Sequence, residues 1–431
     1  MQNVKLTQML LLIALLLPTI SASLDIRMDL THVDAAGNFT KFELVQRMAL
    51  RSKARATRLL STATDPISAA DVPVFRGEGE YLIDLTIGTP PLPFSAILDT
   101  GSDLIWTQCK PCNQCFSQPT PLFDPSNSSS FSTLSCGSSL CKSLTNSACQ
   151  QQECVYYYPY GDKSSTSGVL SSETFILGSQ NKVAVPNLGF GCGVLQQGDF
   201  SNASGLVGFG RGPLSLVSQL GVTQFSYCFT SFNETISSTL LFGSPADLNS
   251  STNIQIQTTS LITNPLIPSF YYLSLNGITV GNTLLPIPKS AFALKQNGTG
   301  GFIIDSGTSV TQLNSDAYKV VKTAFLSQIK LPVANGSSVG LELDLCFALP
   351  SSAAAKVDVP KLVFHFEGAD LELPRENYMI EDSGLMCLVM SEWSSDLPGS
   401  ILGNFQQQNM RILYDLENNN LSFAPAQCDQ L

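Results

Sequence analysis

Charge, histidine and tryptophan are the scarce materials of this chain. Only 13% of its 431 residues are charged, about half the usual share for a soluble protein. Lys and Arg number 23 against 34 Asp and Glu, for a net charge of −11. That balance denies nucleic acid the basic surface it needs, so no such partner is expected. The two histidines, His32 and His365, are too few and too far apart for a His-rich metal site, and they leave little for a Ser-His or Cys-His nucleophile. Long apolar runs are also missing. Met9 to Leu17 is apolar but short of the roughly 20 residues that cross a bilayer. With Lys5 before it and Ser21-Ala22-Ser23 after it, it reads as a secretory signal peptide over residues 1–23 rather than an anchor. The polar C-terminus offers no tail anchor, so no membrane anchor is expected.

Cysteine is plentiful, with twelve residues, and in a chain that enters the secretory route these are expected as disulfides. Cys109-x-x-Cys112-x-x-Cys115 could be read as a metal ligand set, but no fourth ligand stands nearby; no metal site is expected. Eight Asn-x-Ser/Thr sequons fit a secreted glycoprotein: Asn38, Asn127, Asn202, Asn233, Asn249, Asn297, Asn335 and Asn420. Between Lys41 and Leu60 six basic residues, Lys41, Arg47, Arg51, Lys53, Arg55 and Arg58, face Glu43 alone. Leu44, Met48 and Leu50 recur there near helical spacing. From Arg76 onward the balance reverses, 15 basic to 28 acidic. A basic, helix-prone block ahead of an acidic body suggests a removable prosegment over an acidic site; a solvated linker is the plainer alternative.

The body reads as mostly β. Tyr81 to Ile87 alternates and ends at Gly88-Thr89-Pro90-Pro91, a strand closed by a turn. Phe225–Phe229, Tyr271–Leu275 and Leu362–Phe366 read as further strands. Helical periodicity is clear only after Ser315, where Tyr318, Val321, Phe325 and Ile329 share a face, with a shorter case at Leu214–Leu220. The length supports two cores, and many short strands with Gly-rich turns give an all-β class of sandwich- or barrel-like lobes.

An internal repeat is the informative feature. Ile97-Leu98-Asp99-Thr100-Gly101-Ser102 returns 206 residues later as Ile303-Ile304-Asp305-Ser306-Gly307-Thr308. Each copy has a later apolar-apolar-Gly partner: Leu206-Val207-Gly208 and Ile401-Leu402-Gly403. Two halves with the same landmarks in the same order imply duplication and a pseudo-two-fold axis. A carboxylate at the end of an apolar strand sits where low dielectric tunes its protonation. The glycine after it allows a tight turn and frees a backbone N–H for the carboxylate. Ser102 and Thr308 can bond the outer carboxylate oxygens, and Thr100 and Ser306 can tie the loops together. If the axis brings Asp99 and Asp305 together, they share one proton, with apparent pKa values pushed apart. Such a pair can act as base toward water and as acid toward a carbonyl, which is hydrolysis of an amide with no cofactor.

These residues resemble the pepsin-like aspartic proteases from about Tyr81 to the C-terminus. The resemblance implies an all-β, bilobal fold with pseudo-two-fold related lobes and a few short helices, and Asp99 and Asp305 as the catalytic pair. It implies a flap at Tyr160-Gly161-Asp162 with Tyr160 closing over substrate, supported by Trp106. The cysteine-rich stretch Cys109 to Cys154 and the basic prosegment resemble the plant nepenthesin-type subgroup. That subgroup implies the pairs Cys109–Cys112, Cys115–Cys192, Cys136–Cys154, Cys141–Cys149, Cys228–Cys428 and Cys346–Cys387, although sequence alone leaves connectivity open. The expected organisation is a signal peptide (1–23), a prosegment (24–75), an N-terminal lobe (76–243) and a C-terminal lobe (244–431). Polypeptide substrates, the protein's own prosegment and pepstatin-type inhibitors are the expected partners, and a monomer the expected state. A secreted destination, apoplast or vacuole, follows from the leader.

Three rival readings are weaker. A catalytically inactive binding or inhibitor protein of the same fold typically loses part of one loop, and here both aspartates and both glycines stand. A Ser or Cys hydrolase has only His365 outside the N-terminal region, in an apolar alternating strand where a satisfied structural role fits better. Nucleotide binding at Gly208-Phe209-Gly210-Arg211-Gly212 lacks the full fingerprint, so a turn after a strand is preferred; Gly189-Phe190-Gly191-Cys192-Gly193 reads as a turn region too. One departure from the family pattern concerns specificity. The flap continues with Lys163 where a glycine is usual, and Pro159 stiffens the approach. Lys163→Gly is expected to alter the cleavage profile on a peptide library; an unchanged profile removes that role for Lys163.

Overall fold

Tyr81–Ile87 forms the strand its alternation requires, with Tyr81, Ile83, Leu85 and Ile87 turned into the core. It turns back at Gly88, whose φ of 92° suits glycine, into the antiparallel strand Leu92–Asp99. In this computed structural model the described residues are 24–61, 81–160, 164–198, 200, 203–234, 236–248, 255–336, 343–350, 357–393 and 399–431. The expected signal peptide and the end of the expected prosegment lie outside them. Among the described residues, twenty strands form one connected sheet system and two four-stranded sheets flank the second half.

The duplicated landmarks meet within each half. Gly205–Gly208 runs parallel to Leu92–Asp99 with Gly208 opposite Asp99. Ser400–Leu402 runs parallel to Phe302–Ile304 with Leu402 opposite Ile304. Parallel neighbours need a crossover rather than a hairpin, and in each half about a hundred residues, with several strands among them, make that crossover. The halves join where Gln224–Cys228 pairs antiparallel with Met410–Asp415. Outward from that seam lie Ser238–Phe242 and Ile26–His32 on one side, and Asn420–Pro425 and Gln257–Ile262 on the other. The pseudo-two-fold passes between the two central strands. Aromatic rings fill the seam: Phe225 stacks on Tyr414 at 4.5 Å, and Phe229 lies between Tyr81 at 3.9 Å and Tyr227 at 4.2 Å. Such contacts add to plain area burial.

The basic stretch forms a helix, Lys41–Ser61. Thr40 and Glu43 open it with a reciprocal capping box: the Glu43 N–H donates to Thr40 Oγ1 at 3.2 Å and the Thr40 N–H to Glu43 Oε2 at 2.7 Å. Its apolar face, Phe42, Val45 and Met48, packs on Val310, Ile380, Val389 and Phe405 of the second half. Two of its basic residues, Arg47 and Arg51, find a partner within the segment. They close on Asp34 of the same segment at 2.8 and 2.7 Å, with Asp34 and Arg51 buried. The helix after Ser315 spans Ser315–Gln328, capped by Asn314, with Tyr318, Val321 and Phe325 buried.

Four expected disulfides are corrected and two stand as expected. The bonds are Cys109–Cys192, Cys112–Cys115, Cys136–Cys149 and Cys141–Cys154, with Cys228–Cys428 and Cys346–Cys387. Burial and strand neighbours explain the change. Trp106–Gln108 runs beside Val183–Gln197 with Thr107 opposite Cys192, so Cys109 emerges next to Cys192 inside the core, while half-exposed Cys112 and Cys115 are left to each other. Likewise buried Cys141 finds buried Cys154, and the outer Cys136 takes exposed Cys149. The expected turn at Gly189–Gly193 is instead the interior of the strand Val183–Gln197. A side chain at Gly191 would meet the Tyr156 ring, 2.6 Å from its hydroxyl, so these glycines serve close approach.

Cys228–Cys428 ties a seam strand to the C-terminus across 200 residues. Replacing both by Ser is expected to cost about 2–5 kcal/mol, read as a lower denaturant midpoint; an unchanged midpoint would show that the seam holds without it.

Candidate active site

Each aspartate stands at a strand end fixed by its parallel neighbour. The Asp305 N–H donates to Leu402 O at 3.1 Å, and the Phe209 N–H donates to Asp99 O at 2.7 Å. Both side chains are fully buried. Asp99 accepts from the Gly101 N–H at 2.9 Å on one oxygen and from Ser102 Oγ at 2.5 Å on the other. Asp305 accepts from the Gly307 N–H at 3.0 Å and from Thr308 Oγ1 at 2.7 Å. The two loops are therefore near-copies in their bonding.

The loops also hold each other. The Thr100 N–H donates to Ser306 Oγ at 3.1 Å, and the Ser306 N–H donates to Thr100 Oγ1 at 2.8 Å. Ser306 Oγ continues to Leu98 O at 3.2 Å, and Thr100 Oγ1 reaches Asp305 Oδ1 at 3.4 Å. A residue adjoining one carboxylate thus touches the other. Behind Asp305 lies a shell of neutral groups. Gln407 Nε2 donates to Asp305 O at 3.4 Å, Tyr227 donates to Gln407 Oε1 at 2.5 Å, and the Tyr227 and Tyr414 hydroxyls are 2.9 Å apart. Burial, before any neighbouring charge, pushes both phenols far up, so they stay protonated.

Trp106 and Tyr160 meet as the family pattern implies: the indole N–H donates to the Tyr160 hydroxyl at 2.8 Å, and both are buried. The Tyr160 N–H donates to Ser164 O at 2.8 Å. Gly161, Asp162 and Lys163 lie outside the described residues. Of the sequons, Asn127, Asn233, Asn297 and Asn335 are exposed and Asn420 is half-buried at a strand start; Asn202 and Asn249 lie outside the described residues. His365 is a satisfied surface residue, with Nε2 2.7 Å from Thr279 Oγ1 and Nδ1 2.7 Å from Asp370 Oδ1. All twelve cysteines are bridged, which removes the metal reading of Cys109, Cys112 and Cys115.

Sequence reasoning passed over Asp103, Gln407 and Ser52. Asp103 had a signal, an acid after the first Asp-Thr-Gly-Ser where the second copy has Ser309. Gln407 and Ser52 had none, because each acts through a contact made only in the folded chain. Ser52, on the N-terminal helix, accepts from the Val310 N–H at 2.6 Å, just past the Asp305 loop.

Two β lobes related by a local axis, with a laced pair of Asp-Thr/Ser-Gly loops at their junction, define the architecture of a pepsin-like aspartic protease. Family models described as "Xylanase inhibitor N-terminal" and "Xylanase inhibitor C-terminal" match residues 81–244 and 270–425. Aspartic proteinase nepenthesin-1 of Nepenthes gracilis is 52% identical, over 93% of this chain and 89% of that protein. Nepenthesin-2 of the same plant is 49% identical, over 94% and 90%. The solved structure of edgp superposes with a TM-score of 0.69 at 16% identity, covering 95% of this chain and 96% of that one, a likeness of fold alone. The chain belongs to the nepenthesin-type aspartic proteases of plants, and it is an aspartic-type endopeptidase.

Thr100→Val removes an acceptor and a donor from the lacing and strands the buried Ser306 N–H. The expected results are a loss of about 1–3 kcal/mol in unfolding free energy and at least about a tenfold fall in kcat. A variant as active and stable as the parent would mean that the lacing does not hold the pair.

Proposed function

We propose that this endopeptidase cleaves polypeptides in acid, by general acid/base activation of a water between Asp99 and Asp305. The observation that carries the reading is the reciprocal Thr100–Ser306 bonding, which supports two carboxylates fixed toward one point. With one proton on the pair, one carboxylate takes a proton from water as its oxygen attacks the peptide carbon, and the other gives its proton to the carbonyl oxygen. The tetrahedral intermediate then breaks its C–N bond as a proton passes to the leaving nitrogen, releasing an amine and a carboxylic acid. Because one proton must stay on the pair, activity falls as pH rises. Tyr160, held by Trp106, is suited to close over an extended substrate and exclude water.

The protein is proposed to be made as a zymogen and secreted. Support comes from the N-terminal segment, whose helix packs on the second lobe and whose Ser52 bonds beside the Asp305 loop. The leader pattern at Lys5 to Ser23 and the six disulfides suit an oxidising compartment. The alternative, an inactive binding or inhibitor protein, draws on the wording of the matched family models; the complete bonding of both loops speaks against it.

One assay separates the readings. Acid-treated protein is expected to degrade denatured globin at acidic pH, to lose that activity with a pepstatin-type inhibitor and to have none as Asp99→Ala. Absence of cleavage in the parent would favour the binding reading. Neutralising Arg47, Arg51, Lys53 and Arg55 is expected to release activity at neutral pH without acid treatment, and unchanged latency would sink the charge-held zymogen.

A further inference from the structure

The two aspartate loops are near-copies, yet their fifth positions differ in kind. Asp99-Thr-Gly-Ser is followed by Asp103, and Asp305-Ser-Gly-Thr by Ser309. The positions correspond in space: a side chain on Gly208 would strike the Asp103 backbone at 2.2 Å, and one on its counterpart Gly403 would strike Ser309 O at 2.6 Å. An ionisable group has been placed on one side of a symmetric site.

The surroundings are built for that group. Rungs join the 99–103 loop to the 208–212 loop: Phe209 N–H to Asp99 O at 2.7 Å, Gly210 N–H to Ser102 O at 2.8 Å and Gly212 N–H to Asp103 Oδ1 at 2.9 Å. Ser269, from the second half, donates its hydroxyl to Asp103 Oδ2 at 2.5 Å, and its carbonyl accepts from the Arg211 N–H at 3.0 Å. Side chains on Gly210 and Gly212 would lie 2.3 and 2.1 Å from the Asp103 carboxylate, so the glycine-rich run is a cradle for this acid and no nucleotide fingerprint. The second half has bulky Phe405 and Gln407 at the matching places.

We propose that Asp103 is a positioning residue of the peptidase reaction: it clamps the 208–212 loop and Ser269 against the Asp99 loop, and its charge holds the aspartate pair in the singly protonated state to higher pH. The proposal rests on the aspartic-protease reading above. Its carboxylate bonds Gly212 and Ser269 and acts on Asp99 only through its charge. Among the described residues, the charged and titratable groups near it are Asp99 on its own loop, Arg211 on the glycine-rich loop and Tyr271 on the strand Tyr271–Leu273. Arg211 is turned away to Asn419 Oδ1 at 2.5 Å and Ile262 O at 3.3 Å, and the Tyr271 phenol is kept neutral by burial. The field that Asp103 exerts on Asp99 is therefore not cancelled by an ion pair among the described residues. Burial pushes the Asp103 carboxyl above the usual carboxylate range, Ser269 and Gly212 pull it back, and Asp99 raises it further.

The sign of the effect is fixed. A negative Asp103 disfavours a second negative charge on the pair, so removing it lets the pair lose its proton sooner as pH rises. Asp103→Asn keeps the shape and the acceptor for Gly212 but lacks the charge. In the acid-treated full chain, the alkaline limb of its kcat profile on a peptide substrate is expected to move toward acid by about half to one pH unit, with KM little changed. Ser269→Ala, which removes a bond that favours the ionised form, is expected to move the limb the same way by less, and Ser269→Thr to restore it. An unshifted limb in Asp103→Asn, including a uniform loss at every pH, overturns the proposal; should that variant not fold, Ser269→Ala decides by the same criterion. A parent with no Asp99-dependent cleavage overturns the protease reading and this inference with it, whereas an active parent beside an unshifted variant overturns this inference alone.

Discussion

The reciprocal hydrogen bonds between Thr100 and Ser306 are the constraint on which the site depends. Two carboxylates removed from water repel each other when charged, and they persist together only if their own loops neutralise them with donors and hold the approach rigid. Here each carboxylate receives one backbone N–H and one hydroxyl, and each loop donates to the other across the axis. The parallel strand partners, the six-strand seam and the Gln407–Tyr227–Tyr414 network all bear on the position of those four residues. Duplication supplies this economically, because one loop design used twice is automatically self-complementary about a two-fold axis.

The two halves are not identical. The first loop carries Asp103 in a glycine cradle, the second Ser309 against larger side chains. The first lobe packs Trp106 and Tyr160 into a cluster with Phe200 and Leu206, while the second receives the N-terminal helix on Val310 and Phe405. The N-terminal segment settles its own charge as well. Asp34 takes Arg47 and Arg51, so part of a basic block that looks from its composition like a cover for an acidic cleft is an internal clasp. An unpaired arginine buried as deeply as Arg51 would be costly, and Asp34 is what makes that burial tolerable.

By itself the sequence determined the fold class, the repeat and the class of enzyme. Alternation at Tyr81–Ile87, the helix after Ser315 and the twin Asp-x-Gly motifs depend on periods and spacings, which are local properties of a chain. The family likeness also singled out Trp106 and Tyr160, whose side chains meet in the fold. What only the tertiary structure decided are facts of proximity between distant residues. Cys109 bonds Cys192 and not Cys112 because two strands run side by side, and Cys141 bonds Cys154 because both are buried. Gly189 to Gly193 is strand and not turn because it pairs with Ser165–Leu177 on one side and Trp106–Gln108 on the other. Asp103, Gln407 and Ser52 matter through contacts 100 or more residues away in the chain, and no local pattern records which residue a folded backbone will bring within 3 Å.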